Sequence, residues 1–226
     1  GSGEKRMQQL VHEINLIAPA FLLLSGDISY GGTWENYQTL YDFLLQVNAP
    51  VIVGPGNHEF EAWNGYLAFF GKRYHRSDFG DWCIYSLDSS HEKDQFTWAQ
   101  LAWFEQALDS CEGSKLVHLH HPLYGSKGIT GNLEPLVELL EKYEVPLVLS
   151  GHAHGDRLYN HEGKAMGNNA GPPQGMPIPQ NLVVTAAGAR DLYPDHSDSP
   201  LHRGYRLIRF EDGKLLNYTY DYDGDG

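Results

Sequence analysis

Four short clusters in this sequence hold side chains able to bind a metal or move a proton. They are Gly26-Asp27, Gly56-Asn57-His58-Glu59, His120-His121-Pro122 and Gly151-His152-Ala153-His154. Carboxylate, carboxamide and imidazole are the oxygen and nitrogen donors that first-row divalent and trivalent metals take. Any one cluster is commonplace, because Gly-Asp is an ordinary turn and a lone histidine is more often a hydrogen-bonded core residue. Tyr30, three residues after Asp27, has two readings: a phenolate donor, or an aromatic packed beside the loop.

What sets the clusters apart is the elements that deliver them. Each follows a short apolar run that reads as a buried strand: "FLLLS" before Asp27, "VIVG" before Asn57, "LVHLH" at His120 and "LVLS" before His152. Helical periodicity fills the intervals, at residues 4–17, 34–47, 61–70, 95–108 and 132–143, with Thr33 as an N-cap. Strands are expected at 50–54, 82–88, 115–120 and 146–150. Helix and strand in alternation predict an α/β layered domain. In such sheets ligands bind outside the carboxyl ends of the strands, so the four clusters are expected to converge on one surface.

Beyond residue 154 the character changes. Residues 163–180 are rich in Gly, Pro and Asn and read as a long loop able to cover a site. "NLVVTAAGA" reads as a strand, and residues 205–222 as a hairpin turning at Asp212-Gly213. There are no internal repeats.

Composition limits the partners. The 226 residues carry 16 basic and 29 acidic side chains, a formal charge of −13. Such a surface repels a phosphate backbone, so no nucleic-acid groove is expected, and phosphate chemistry would draw on metal ions for local positive charge. No apolar run is long enough for a membrane span. Cys83 and Cys111 lack zinc-type spacing and read either as one disulfide or as two small buried thiols. The remaining histidines, among them His12, His91, His118 and His161, read as surface or core residues.

Taken together, the succession Gly-Asp, Gly-Asn-His-Glu, His before Pro, and Gly-His-x-His resembles the calcineurin-like metallophosphoesterases over residues 20–155. "GDISY", and "VHLH" at residues 117–120, are similar to the GDxxY and VxxH patterns of the purple acid phosphatases within that family. The resemblance implies one domain over residues 1–226, a four-layer α/β/β/α sandwich of two mixed sheets. It also implies a binuclear metal site holding iron with zinc, manganese or a second iron. Asp27 would bridge both metals, Asn57, His120 and His152 would complete one site, and His154 with Tyr30 the other. His58 would stand over the substrate, and Glu59 and His121 would orient ligand imidazoles.

The family pattern opens with a strand ending in an acidic motif, which is not found here before the first helix, so the domain is expected to lack its first strand and to be cut at both ends. The tail "DYDGDG" matches the opening of a calcium loop through Asp221, Asp223 and Asp225, or is a frayed acidic end. The expected activity is hydrolysis of a small phosphate monoester by a metal-activated water, in a secreted or periplasmic protein. The alternatives are a phosphodiesterase acting on cyclic nucleotides or lipid headgroups, and a non-catalytic phosphate-binding module. Oligomeric state is not legible.

Overall fold

The computed structural model describes residues 2–29, 31–90, 95–153, 157–159, 163–168, 184–185, 204–211 and 214–222. Helix α1 (Ser2–Ile17) leads into strand β1 (Leu22–Ser25), helix α2 (Trp34–Leu44) and strand β2 (Val51–Gly54). A 3-10 helix at Asn57–Ala62 runs into α3 (Trp63–Phe70). Strands β3 (His75–Phe79) and β4 (Trp82–Ser86) precede α4 (Trp98–Asp109), β5 (Ser114–Leu119), α5 (Leu133–Lys142) and β6 (Leu147–Ser150). Short strands β7 (Arg157–Tyr159), β8 (Ala165–Asn168) and β9 (Val184–Thr185) follow, then the hairpin β10 (Gly204–Glu211) and β11 (Lys214–Tyr222).

Side-chain alternation along the strands generates the layers. β3-β4-β5-β6-β9 form one sheet, antiparallel between β3 and β4 and parallel elsewhere. On its outer face Tyr85, Val117, Leu119 and Val148 meet Phe104 and Leu108 of α4 and Leu136 and Leu140 of α5. Its inner face presents Ile84, Leu116, Leu147 and Leu149 to Leu23 and Ile52 of the parallel pair β1-β2, and to Ile208 and Phe210 of β10. The outer face of β1-β2 packs Leu24 and Val53 against Tyr37 of α2 and Tyr66 and Phe70 of α3. The order is helix, sheet, sheet, helix, the four-layer sandwich that the family resemblance implies.

Local chemistry agrees with this arrangement. Thr33 Oγ1 accepts from the Asn36 amide at 3.2 Å and Thr97 Oγ1 from the Gln100 amide at 3.1 Å, so α2 and α4 each start on a threonine cap. Cys83 and Cys111 form a disulfide that ties β4 to the turn before β5, so the bridged reading of the pair holds. Strand β3 was not foreseen from the sequence, and β8 interrupts the first part of the expected loop. Residues 169–180, the Asp212-Gly213 turn, His91, His161 and the Asp223–Gly226 end of the possible calcium loop lie outside the described residues. No helix among the described residues is long and apolar enough to cross a membrane.

Candidate metal centre

Because β1, β2, β4, β5 and β6 run parallel within their sheets, their carboxyl ends share one edge of the sandwich. Asp27 follows β1, Asn57 follows β2, His120 follows β5 and His152 follows β6. The four side chains meet around one atom, Nε2 of His120. It lies 3.0 Å from Asn57 Oδ1, 3.1 Å from Asp27 Oδ2 and 3.2 Å from His152 Nδ1. The other ring nitrogen, Nδ1, is 2.8 Å from the Ser25 carbonyl and donates its proton there. In that tautomer Nε2 turns a lone pair toward three further lone-pair atoms.

Such a gathering needs a shared positive charge. The residues fit a metal ion, because donors about 2.0–2.2 Å from a central cation lie roughly 3–3.5 Å from one another. The electrostatics agree with that fit. Burial works against charging Asp27, yet the hydrogen bond and charge of His120 and the amide of His58 outweigh it and hold its carboxyl well below the usual range. Burial likewise opposes a charged His120, but Asp27 reverses the balance and raises it. His152 is pushed down to about 3 by burial and by His121 and His120, which leaves it a neutral donor.

The two loops carrying Asp27 and Asn57 hold each other by their backbones. Glu59 is fully buried; its Oε2 accepts the amides of Gly56 (2.6 Å) and Asp27 (2.9 Å), and its Oε1 accepts that of Ser29 (3.0 Å). In return Asp27 Oδ1 accepts the His58 amide at 3.0 Å. Burial, with Asp27 nearby, pushes the Glu59 carboxyl up to about 7 despite those amides. The approach is too close for side chains. At Gly26, where φ is +89°, a Cβ would sit 2.6 Å from Gly56 Cα and 2.7 Å from His120 Nδ1.

His58 has a 40 % exposed side chain with Nε2 3.9 Å from Asp27 Oδ2, so its ring faces the open side of the cluster. His121 is buried against the other wall, its ring centroid 4.2 Å from that of His152. Its amide donates to Ser89 Oγ at 2.9 Å and its Nδ1 lies 3.1 Å from the same oxygen. Ligand-capable atoms of His120, His121 and His152 all fall within 4.8 Å of one another. His118, by contrast, points into the inter-sheet core, where burial lowers it to about 3 and keeps it neutral.

Of the residues expected from the sequence, Asp27, Asn57, His58, His120 and His152 come together here. Tyr30 and His154 lie outside the described residues. Glu59 grips backbone amides rather than an imidazole, which the sequence did not reveal. Ser89 was missed; its only signal was its place just past a buried strand.

Comparison with known proteins agrees with this geometry. Residues 2–156 match the model of the calcineurin-like phosphoesterases. The chain is 30 % identical over 195 residues to a protein of Synechococcus sp. named as a probable cyclic nucleotide phosphodiesterase, covering 80 % of this chain and 74 % of that one. A 3′,5′-cyclic-nucleotide phosphodiesterase of Nostoc sp. is 28 % identical over 163 residues, covering 66 % of this chain and 59 % of that one. Among solved structures the chain resembles GAP50, titled the anchor in the inner membrane complex of Plasmodium, with a TM-score of 0.58, 13 % identity, and coverage of 96 % of this chain and 73 % of that one. That likeness shows the fold alone. The relatives carry diesterase names and not that of the purple acid phosphatases, so the narrower resemblance is not what they share with it. The sandwich, the four strand-end donors and the match over residues 2–156 make this chain a member of the calcineurin-like phosphoesterase family.

Proposed function

We propose that this chain is a metal-dependent phosphodiesterase, with 3′,5′-cyclic nucleotides as its first candidate substrates. The observation that carries the metal half of this reading is the convergence of Asp27, Asn57 and His152 on one lone pair of His120. The diester half is supported by the names of the relatives in Synechococcus and Nostoc. It replaces the monoester reading with the alternative that the sequence left open.

Asp27, Asn57, His120 and His152 would hold one cation, and Asp27 with His154 a second, of iron, zinc or manganese, with Tyr30 a ligand only under the rival purple acid phosphatase reading. When bound, such a pair activates water and neutralises charge on the phosphoryl group. The protein's own share is to aim and exclude. Asp27 is fixed on both sides, by its amide to Glu59 and its carboxylate to the His58 amide. His58, anchored by its backbone and open at its ring, is placed to hydrogen-bond a phosphoryl oxygen or to give a proton to the departing alkoxide. The Cys83–Cys111 bridge supports an oxidising location, secreted or periplasmic.

The test compares bis(p-nitrophenyl) phosphate with p-nitrophenyl phosphate, and then 3′,5′-cyclic AMP, using protein loaded with Mn²⁺ or iron. We expect kcat/KM for the diester to exceed that for the monoester by at least about tenfold, and Asp27→Asn to abolish both. A preference for the monoester, with a visible absorption band lost in Tyr30→Phe, would restore the purple acid phosphatase reading. Metal uptake with no turnover of either would leave a phosphate-binding module.

A further inference from the structure

We infer that Glu59 is the positioning residue of the metal centre, setting the distance between the Asp27 loop and the Asn57 loop without touching metal or substrate. The inference rests on the metal reading above and adds a residue whose work is to hold the ligands in place.

Three features point to it. Glu59 has no solvent-exposed surface, and its two carboxylate oxygens take three backbone amides, two from the Asp27 loop and one from its own. Those amides belong to Gly56 and Asp27, which adjoin or are the ligands, and to Ser29 two residues on. The turn they come from is unusual: Gly26 at φ +89° and Asp27 at φ +53° both take left-handed backbone, and the amides of Asp27 and Ser29 on it turn toward one buried anionic group. A buried side chain of this chain supplies that anion.

The geometry also says why the residue is glutamate. Glutamine offers one oxygen in place of two, so its NH2 would face the Ser29 amide or the pair from Gly56 and Asp27, donor against donor. Aspartate keeps both oxygens but is shorter by one carbon–carbon bond, about 1.5 Å, and falls short of the opposite loop. Either change loosens the Asp27 loop, at Asp27 itself or at Ser29, while the His58 amide still holds Oδ1 from the other side. Groups that orient ligands in this way change metal affinity by about 10–100-fold when removed.

The experiment is calorimetric titration of Mn²⁺ into wild type, Glu59→Gln, Glu59→Asp and Leu136→Ala, with a thermal melt of each. Leu136 lies on α5 and is fully buried against the outer face of the five-stranded sheet, so its truncation destabilises the protein without reaching the centre. We expect Glu59→Gln to weaken Mn²⁺ binding by about 10–100-fold and Glu59→Asp by about 3–10-fold. Leu136→Ala should melt earlier yet bind within about twofold of wild type. A Glu59→Gln protein that binds as wild type does would overturn the inference. So would a Leu136→Ala protein that loses as much affinity as Glu59→Gln, since the effect would then be general loss of structure. If Glu59→Gln does not fold, Glu59→Asp decides alone, and unchanged affinity there is equally fatal. Wild type that takes up no Mn²⁺, zinc or iron would sink the metal reading itself, and the inference with it.

Discussion

Replacing Gly56 by alanine tests the close approach of the two loops most directly. Gly56 has φ −118° and ψ −174°, an extended conformation that alanine adopts without strain, so any effect comes from the added methyl group. That methyl would fall onto the backbone nitrogen and Oδ1 of Asp27 and lie 2.9 Å from the Gly26 carbonyl carbon. Carbon atoms rest at about 3.5–4.0 Å, so the loops must part by about 1 Å. Overpacking of this kind costs about 1–3 kcal/mol, and stretching the 2.6 Å bond from the Gly56 amide to Glu59 adds to it, for about 2–4 kcal/mol in all. In a chain of this size that is a fall of about 4–16 °C in melting temperature.

A shift of 1 Å in Asp27 also misplaces the acid at the heart of the site, which lowers kcat/KM by about 10²-fold. The assay is a thermal melt beside initial rates on bis(p-nitrophenyl) phosphate at saturating Mn²⁺. A variant that melts within about 2 °C of wild type and retains kcat/KM within about threefold would refute the reasoning. Lost stability with full activity would be as damaging, because it would mean that the methyl is accommodated away from Asp27.

Two further outcomes follow from the structure. The Cys83–Cys111 bridge closes 28 residues of chain, for which loop-closure entropy gives about 3.6 kcal/mol; reduction, or the double change to alanine, should lower the melting temperature by about 7–14 °C, and identical melts with and without dithiothreitol would contradict it. His118 is neutral when folded, with a value of about 3 against an ordinary 6.5, so between those values the unfolded chain binds the extra proton and stability falls as pH drops through that window, by up to about 1.4 kcal/mol per pH unit. Glu59, raised to about 7, acts in the opposite sense between 4.5 and 7, so the measurement is the difference between wild type and His118→Asn in urea melts of metal-free protein from pH 4.5 to 7; parallel slopes would show that His118 is not the cause.

The donors were legible because each one interrupts an apolar run at the point where a parallel strand ends, and parallel order puts those ends on one edge. Strand β3 was not, since His75-Arg76-Ser77-Asp78-Phe79 has no apolar alternation and its pairing is decided by its neighbour β4, residue for residue from His75 opposite Ser86 to Phe79 opposite Trp82. The two adjacent histidines were separable only in part. His120 and His121 differ in what holds them, the Ser25 carbonyl for one and Ser89 for the other, and both partners are far away in sequence.

Glu59 shows the same limit more sharply. Its motif marked it as part of the site, but its role depends on the register that sets Ser25 beside Gly54, which brings the amide of Asp27 alongside that of Gly56. Once that register exists, the two acids act reciprocally: Glu59 gathers the amides of the Asp27 turn, and Asp27 takes the amide of His58. Each loop thus supplies the acceptor that the other's backbone lacks, and neither could hold its left-handed or extended turn alone at this separation. The consequence is a site whose acidic donor is set by protein contacts in advance, so that the carboxylate a cation would need beside His120 is already held in place without one.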